Sequence, residues 1–260
     1  MWIDTHCHLD APEFNGQGDD VARQALQAGV QRIIVPAVCR DNFARVAELG
    51  KWGGYALGIH PLFVPLADES DLDCLRTTIE LAMADPNFVA IGEIGLDFFV
   101  PELCTAEMRD KQSYFFRAQL RIARDAGLPV LMHVRRSVDH ILKHLRQIKV
   151  SGGIAHAFNG SEQQAAMLLN LGCKLGFGGA MTYTRALQLR RLAAGLPLSA
   201  IVLETDAPDI APAWLESGPN TPQQLLRIAQ VCADLRGISM DELALATTRN
   251  TYAALPRLRH

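Results

Sequence analysis

At 260 residues, 49% of them hydrophobic and 20% charged, the chain can bury a large core and does not have the composition of a disordered protein. A formal charge of -3 excludes a global basic field, so a nucleic-acid partner would have to be held by a local patch or by metal. The six cysteines are scattered with no Cys-x-x-Cys pair, and polar Asp4 and His6 interrupt the N-terminus, which predicts free thiols, no secretory signal and a cytoplasmic setting.

Short apolar runs alternate with longer amphipathic stretches. Strand one is expected at Trp2 to His8, followed by a helix from about Asp19 to Ala28 and a strand at Arg32 to Ala37. Asp41 to Lys51 reads as a helix, Tyr55 to His60 as strand three, Asp71 to Ala84 as a helix and Phe88 to Ile94 as strand four. A long helix is expected over Thr105 to Ala126, then strand five at Pro129 to Val134, a helix near Val138 to Ile148 and strand six at Gly153 to Ala157. Ser161 and Gln164 fit a capping box at the start of the next helix. Strand seven follows at Cys173 to Phe177, a helix near Arg185 to Ala194, and strand eight at Ala200 to Asp206. Thr221-Pro222-Gln223-Gln224 reads as the capped opening of another helix, and Ser239 caps a last one.

Eight strand–helix units without a linker predict one α/β domain over residues 1–260, a (β/α)8 TIM barrel. An open doubly wound sheet is the alternative, but no Gly-x-Gly-x-x-Gly follows the first strand. No apolar run approaches the roughly 20 residues that cross a bilayer, so no membrane partner is expected.

Barrels of this type carry their chemistry at the C-terminal ends of the strands. Metal-capable His6 and His8 fall at the end of strand one, Glu93 on four, His133 on five, His156 on six and Asp206 on eight. Alternation along strand one would turn Asp4, His6 and His8 to one face and Ile3, Thr5 and Cys7 to the other, which makes Cys7 a packing residue. Singly, each has an ordinary explanation: His133 as a core histidine, Asp206 as a turn cap before Ala207-Pro208. An unpartnered Glu93 between Gly92 and Ile94 would be costly to bury, and a metal would relieve that cost. Together the six predict a metal site. Asp4 and Glu204, one step deeper, suit orientation of the imidazoles, and His60 suits substrate contact. His140 and His144 lack a zincin's intervening Glu and read as a solvated helix face.

The strings Asp4-Thr5-His6-Cys7-His8-Leu9-Asp10, Gly58-Ile59-His60-Pro61, Gly92-Glu93-Ile94-Gly95-Leu96-Asp97 and Glu204-Thr205-Asp206-Ala207-Pro208 resemble the TatD family of metal-dependent deoxyribonucleases. His133-Val134-Arg135, His156-Ala157-Phe158-Asn159-Gly160 and Asn220-Thr221-Pro222 fit the same family, although Thr221 stands where the family often has an acid. The resemblance implies a binuclear centre of two divalent cations (zinc, manganese or magnesium). His6, His8 and Asp206 would hold one, His133 and His156 the other, with Glu93 bridging at a separation of roughly 3.5–4 Å. Glu93 and Asp206 would be catalytic, Asp206 as general base. The implied reaction is phosphodiester hydrolysis of DNA, 3′-to-5′; separately, a monomer is expected. Hydrolysis of a small amide, lactone or phosphoester by the same centre is the alternative.

Arg135 and Arg136, just after strand five, are expected on the active rim as phosphate contacts. Gly176-Phe177-Gly178-Gly179 lies where barrels often bind phosphate. Phe98, Phe99 and Phe158 are candidates for stacking bases.

Overall fold

The structure is a computed structural model that describes residues 1–258. Eight parallel strands pair in chain order: β1 (Trp2–Asp4), β2 (Val30–Pro36), β3 (Gly53–Leu57), β4 (Phe88–Asp97), β5 (Val130–Arg135), β6 (Gly153–Ala155), β7 (Cys173–Phe177) and β8 (Ile201–Leu203). The first strand meets the last through Thr5 N–H to the Leu203 carbonyl at 3.1 Å and His8 N–H to the Ala207 carbonyl at 2.8 Å. The result is a nearly closed (β/α)8 barrel.

Nine helices cover the barrel among the described residues: α1 (Gly18–Gln27), α2 (Phe43–Leu49), α3 (Glu69–Ala82), α4 (Ala106–Asp125), α5 (Val138–Gln147), α6 (Glu162–Asn170), α7 (Leu187–Gly195), α8 (Leu225–Arg236) and α9 (Met240–Ala254). Their apolar stripes face the sheet; in α5 the buried set is Val138, Ile141, Leu142, His144 and Leu145, one face of a helical period. The Ser161 capping box forms in both directions, and Ser239 accepts from Glu242 N–H at 3.1 Å. Thr221 makes no side-chain cap, because Pro222–Gln224 winds as a 3-10 turn before α8 begins.

Two apolar clusters divide the interior. One lies between sheet and helices and includes Cys7, which packs as expected. The other takes Ile3, Ile34, Ala56, Ala90, Leu131, Ile154 and Val202 from seven strands and closes on Ala254, Leu255 and Leu258 at the C-terminus. This filled barrel interior is the floor beneath the site, and each fully buried aliphatic side chain there contributes roughly 1.5–3 kcal/mol.

The strands are shorter than expected where the chemistry sits. β1, β3, β6 and β8 stop before His6, His60, His156 and Asp206, while β4 runs on to Asp97. Period-two alternation connects floor to site on three strands: Leu131 to His133, Ile154 to His156, and Val202 to Glu204 and Asp206. The expected alternation fails on β1. Ile3 lies in the interior cluster, yet His6, three residues on, reaches the centre. The chain bends at Thr5, and Asp4 Oδ1 accepts from His6 N–H at 3.2 Å, which breaks the pleat between them.

The expected solvated face of α5 also needs correction. His140 is exposed, but His144 is buried, with its ring edge-on to Phe116 at 5.8 Å between centroids. Its neighbours Ile141 and Leu145 carry it into the sheet-facing stripe.

Candidate metal centre

The six residues expected as ligands converge in one buried cluster. Glu93 stands at its middle with its two oxygens facing opposite groups. Oε2 lies 2.9 Å from His6 Nε2 and 3.4 Å from His8 Nε2, whereas Oε1 lies 2.9 Å from His156 Nε2 and 3.1 Å from His133 Nδ1. Asp206 Oδ1 approaches from above, 3.6 Å from His6 Nε2, 3.8 Å from His8 Nε2 and 3.9 Å from His156 Nδ1.

The donor set fits metal ions. Imidazole nitrogens face one another at 3.3 Å (His6 and His8) and 3.4 Å (His133 and His156). Two nitrogens so close need a proton or a cation between them, because two lone pairs or two N–H groups repel. Neutral imidazoles with carboxylates suit divalent metal cations by ligand chemistry. Three groups lie close enough to share an ion: His6 with His8 and Glu93, His6 with His156 and Asp206, and His60 with Glu93 and His133.

His60 belongs to the third group by distance, but its hydrogen bonding assigns it a different part. Leu62 N–H donates to His60 Nδ1 at 3.1 Å, and burial lowers the ring's pKa to about 4. A neutral ring accepting at Nδ1 carries its proton on Nε2. That Nε2 points at Glu93 Oε1, 3.3 Å away, as a donor rather than a ligand.

Charge in the cluster is shared around Glu93. Burial disfavours the carboxylate, but His60, His156 and His6 outweigh it and hold Glu93 well below the usual range. Burial likewise opposes charge on His8 and His156, yet the Glu93 carboxylate raises them to about 9 and about 10. Burial and the His156 charge push His6 down to about 3. Burial raises Asp206.

Supporting contacts surround the cluster, from Asp4 and Glu204, which were expected in that part, and from Asp97 and Asn220, which were not. Asp97 Oδ2 accepts from His133 Nε2 at 2.9 Å, which turns Nδ1 toward Glu93. Asp97 stood in the Gly95-Leu96-Asp97 string, three residues beyond the expected end of strand four at Ile94, and that was its only signal. Asp4 acts through backbone and hydroxyl: it accepts from His6 N–H, from Thr205 N–H at 3.0 Å and from Thr205 Oγ1 at 2.5 Å. Glu204 Oε1 takes the Ala157 N–H at 2.5 Å and lies 3.9 Å from His156 Nδ1. Asn220 is fully buried, and its Nδ2 donates to the carbonyls of Thr205 at 2.9 Å and Asp209 at 2.8 Å. It thereby clamps the turn in which Asp206 adopts φ 56°, a left-handed conformation unfavourable for a residue with a side chain.

The Gly176–Gly179 run is closely packed against the chain that carries Glu204 and Asp206. A Cβ at Gly176 would lie 2.0 Å from Glu204 Oε2, and one at Gly179 would lie 2.1 Å from the Ile210 carbonyl. The glycines let the Asp206 loop approach β7. Of the three candidate aromatics, Phe98 and Phe158 are buried and cannot stack a base, whereas Phe99 is open, at 43% exposure. Arg135 and Arg136 are exposed and line the same cavity of about 1040 Å³ as His8, His60, Glu93, Asp206 and Phe99. No helix among the described residues is long and apolar enough to cross a membrane.

Comparison with known proteins gives a consistent result. Residues 3–256 match the family described as "TatD related DNase". The chain is 40% identical to the uncharacterized metal-dependent hydrolase YjjV of Escherichia coli K12, covering 96% of each chain. It is 30% identical to the human protein named deoxyribonuclease TATDN3, covering 99% of this chain and 96% of that one. The crystal structure of E. coli YjjV, a TatD homologue, superposes with a TM-score of 0.91 at 39% identity over 98% of both chains.

Proposed function

This chain belongs to the TatD-related DNase family of metal-dependent hydrolases, and from that premise we propose that it hydrolyses phosphodiester bonds of DNA at the Glu93-centred cluster. The observation that carries the proposal is the division of Glu93: Oε2 with His6 and His8, Oε1 with His133 and His156. A carboxylate shared in that way suits two divalent cations (zinc, manganese or magnesium), one held with His6, His8 and Asp206, the other with His133 and His156. Such cations acidify water and neutralise charge on a phosphoryl oxygen.

The chain's own residues supply the rest. Asp206 opens onto the cavity and takes the proton of the attacking water, and burial makes its carboxylate a stronger base. His60 lines the cavity for substrate contact, and its Nε2–H, kept on that nitrogen by Leu62 N–H, orients Glu93. Arg135 and Arg136 bind phosphate at the mouth. The human relative's name, deoxyribonuclease, supports DNA as substrate; the family resemblance supports 3′-to-5′ removal of nucleotides, and the enzyme is expected to act as a monomer. Six free cysteines suit a reduced, cytoplasmic environment.

The deciding experiment assays chelated protein, reloaded separately with zinc, manganese or magnesium, on single-stranded oligonucleotides and bis(p-nitrophenyl) phosphate beside a panel of amides and lactones. Metal-dependent phosphodiester cleavage with a metal content near two per chain is the expected result. Turnover of amides or lactones alone would replace the proposal with the small-molecule reading.

A further inference from the structure

The ring of Phe99 lies under both rim arginines. Arg135 Cζ is 3.8 Å from its centroid and Arg136 Cζ is 4.8 Å from it. Neither guanidinium has a carboxylate or carbonyl partner among the described residues, so two adjacent cations stand unneutralised at the mouth of the cavity. Such a pair repels itself unless something offsets the charge, and the electron-rich ring face does so from beneath. The backbone that carries the ring is tied to the Glu93-centred cluster. Phe99 N–H donates to Asp97 Oδ1 at 2.8 Å, while the other oxygen of that carboxylate holds His133. From the arginine side, Phe98 N–H donates to the Arg135 carbonyl at 2.9 Å, and Ser137 Oγ donates to the Leu96 carbonyl at 2.6 Å. Arg136 between them holds φ 54°, a left-handed conformation that a non-glycine residue adopts at a cost.

We infer that Phe99 is a positioning residue that holds Arg135 and Arg136 as a fork for a non-reacting phosphate of the substrate strand, and is not a platform for a base. The inference rests on the phosphodiester reading above. Both guanidiniums are exposed at the rim while Glu93 and its imidazoles lie on the floor, so the phosphate they meet is one beside the scissile bond. The fork's register with the centre runs through Asp97. An anion entering it gains two charge-assisted contacts whose geometry the ring has already arranged.

Stacking and positioning give opposite signatures in binding. The probe is a fluorescein-labelled single-stranded phosphorothioate oligonucleotide, titrated with metal-loaded wild-type, F99L, F99Y, F99W, R135Q and R136Q proteins across a salt series. A second probe of the same length replaces the bases by abasic sites. Thermal unfolding of each variant checks that it is folded.

F99L is expected to weaken binding roughly two- to fivefold, with F99Y and F99W close to wild type because both retain the ring face. The slope of log affinity against log salt should fall by about 0.7 in R135Q and in R136Q, and should also fall in F99L. The F99L defect should persist on the abasic probe. A defect that disappears on the abasic probe, with an unchanged salt slope, would make Phe99 a base platform and overturn the inference. Unchanged F99L binding beside weakened R135Q and R136Q, or no measurable binding by the wild type, would overturn it as well. Binding is read apart from hydrolysis, so a protein that binds but does not cleave would remove the proposed reaction and still test the fork.

Discussion

The backbone amide of Asp206 donates to the carbonyl of His6 at 2.9 Å. One bond therefore joins the first ligand segment of the chain to the last, 200 residues apart in sequence, and its geometry depends on the turn that follows β8. Asn220 holds that turn through the carbonyls of Thr205 and Asp209. An Asn220→Ala change leaves those buried carbonyls without donors. We expect a loss of about 1–3 kcal/mol in stability, read as a lower Tm, together with a fall in kcat that exceeds any change in KM. Asn220→Asp should behave no better, since a carboxylate cannot donate to a carbonyl.

Glu93→Gln removes the charge that both halves of the cluster share while keeping the side-chain shape. Metal content should fall below that of the wild type by elemental analysis, and phosphodiester hydrolysis should fall by roughly 10³-fold or more. Asp206→Asn should cost hydrolysis comparably and metal content less, because Asp206 lies at the edge of the cluster, 3.6 Å or more from each imidazole nitrogen it faces. Full nuclease activity in either variant would overturn the proposed chemistry.

Gly176→Ala tests the route from β7 to His156. The new methyl would meet Glu204 Oε2 at 2.0 Å, so Glu204 must leave its bond to Ala157 N–H and its place beside His156 Nδ1. Affinity for metal, measured by competition with a chelating dye, should drop roughly tenfold or more, as partners behind a ligand commonly contribute. Glu204→Gln should reproduce the loss in metal affinity with a smaller loss in Tm, since no atom then clashes.

His144 gives a pH signature remote from the site. Burial, with the charges of Arg117, Lys143 and His140, lowers its pKa to about 4. Unfolded, the ring has an ordinary pKa near 6.5. Between those values the unfolded chain binds the extra proton, so stability is complete above about pH 6.5 and declines as the pH falls toward 4. The decline from this residue should be on the order of 2–3 kcal/mol, and His144→Leu should remove it. Urea unfolding of both proteins at pH 7 and pH 4.5 measures the difference; equal losses in the two would refute the assignment.

Much of the candidate site was legible in the chain. Imidazoles and carboxylates placed where apolar runs stop are a local pattern, and a barrel brings every strand end to one rim. His6, His8, Glu93, His133, His156 and Asp206 could be picked out without knowing a single distance. Asp4 and Glu204 could be placed behind them, but Asn220 and Asp97 could not. Asn220 is an ordinary loop asparagine until its amide is seen against the carbonyls of the Asp206 loop, and Asp97 is an ordinary strand-end acid until His133 is set against it.

Periodicity in the chain was enough to specify the alternation of strands and helices, the filled barrel and the identity of the metal-capable residues, because each depends on neighbours a few positions away. Contact between distant segments decided the remainder. The bend at Thr5 turned His6 to the same interior side as Ile3, the sheet-facing stripe of α5 buried His144, and the packing of loops buried Phe98 and Phe158 while leaving Phe99 under two arginines. Above all, which oxygen of Glu93 faces which imidazoles, and which nitrogen of His60 keeps its proton, depends on atoms about 3 Å away that the chain order does not bring together.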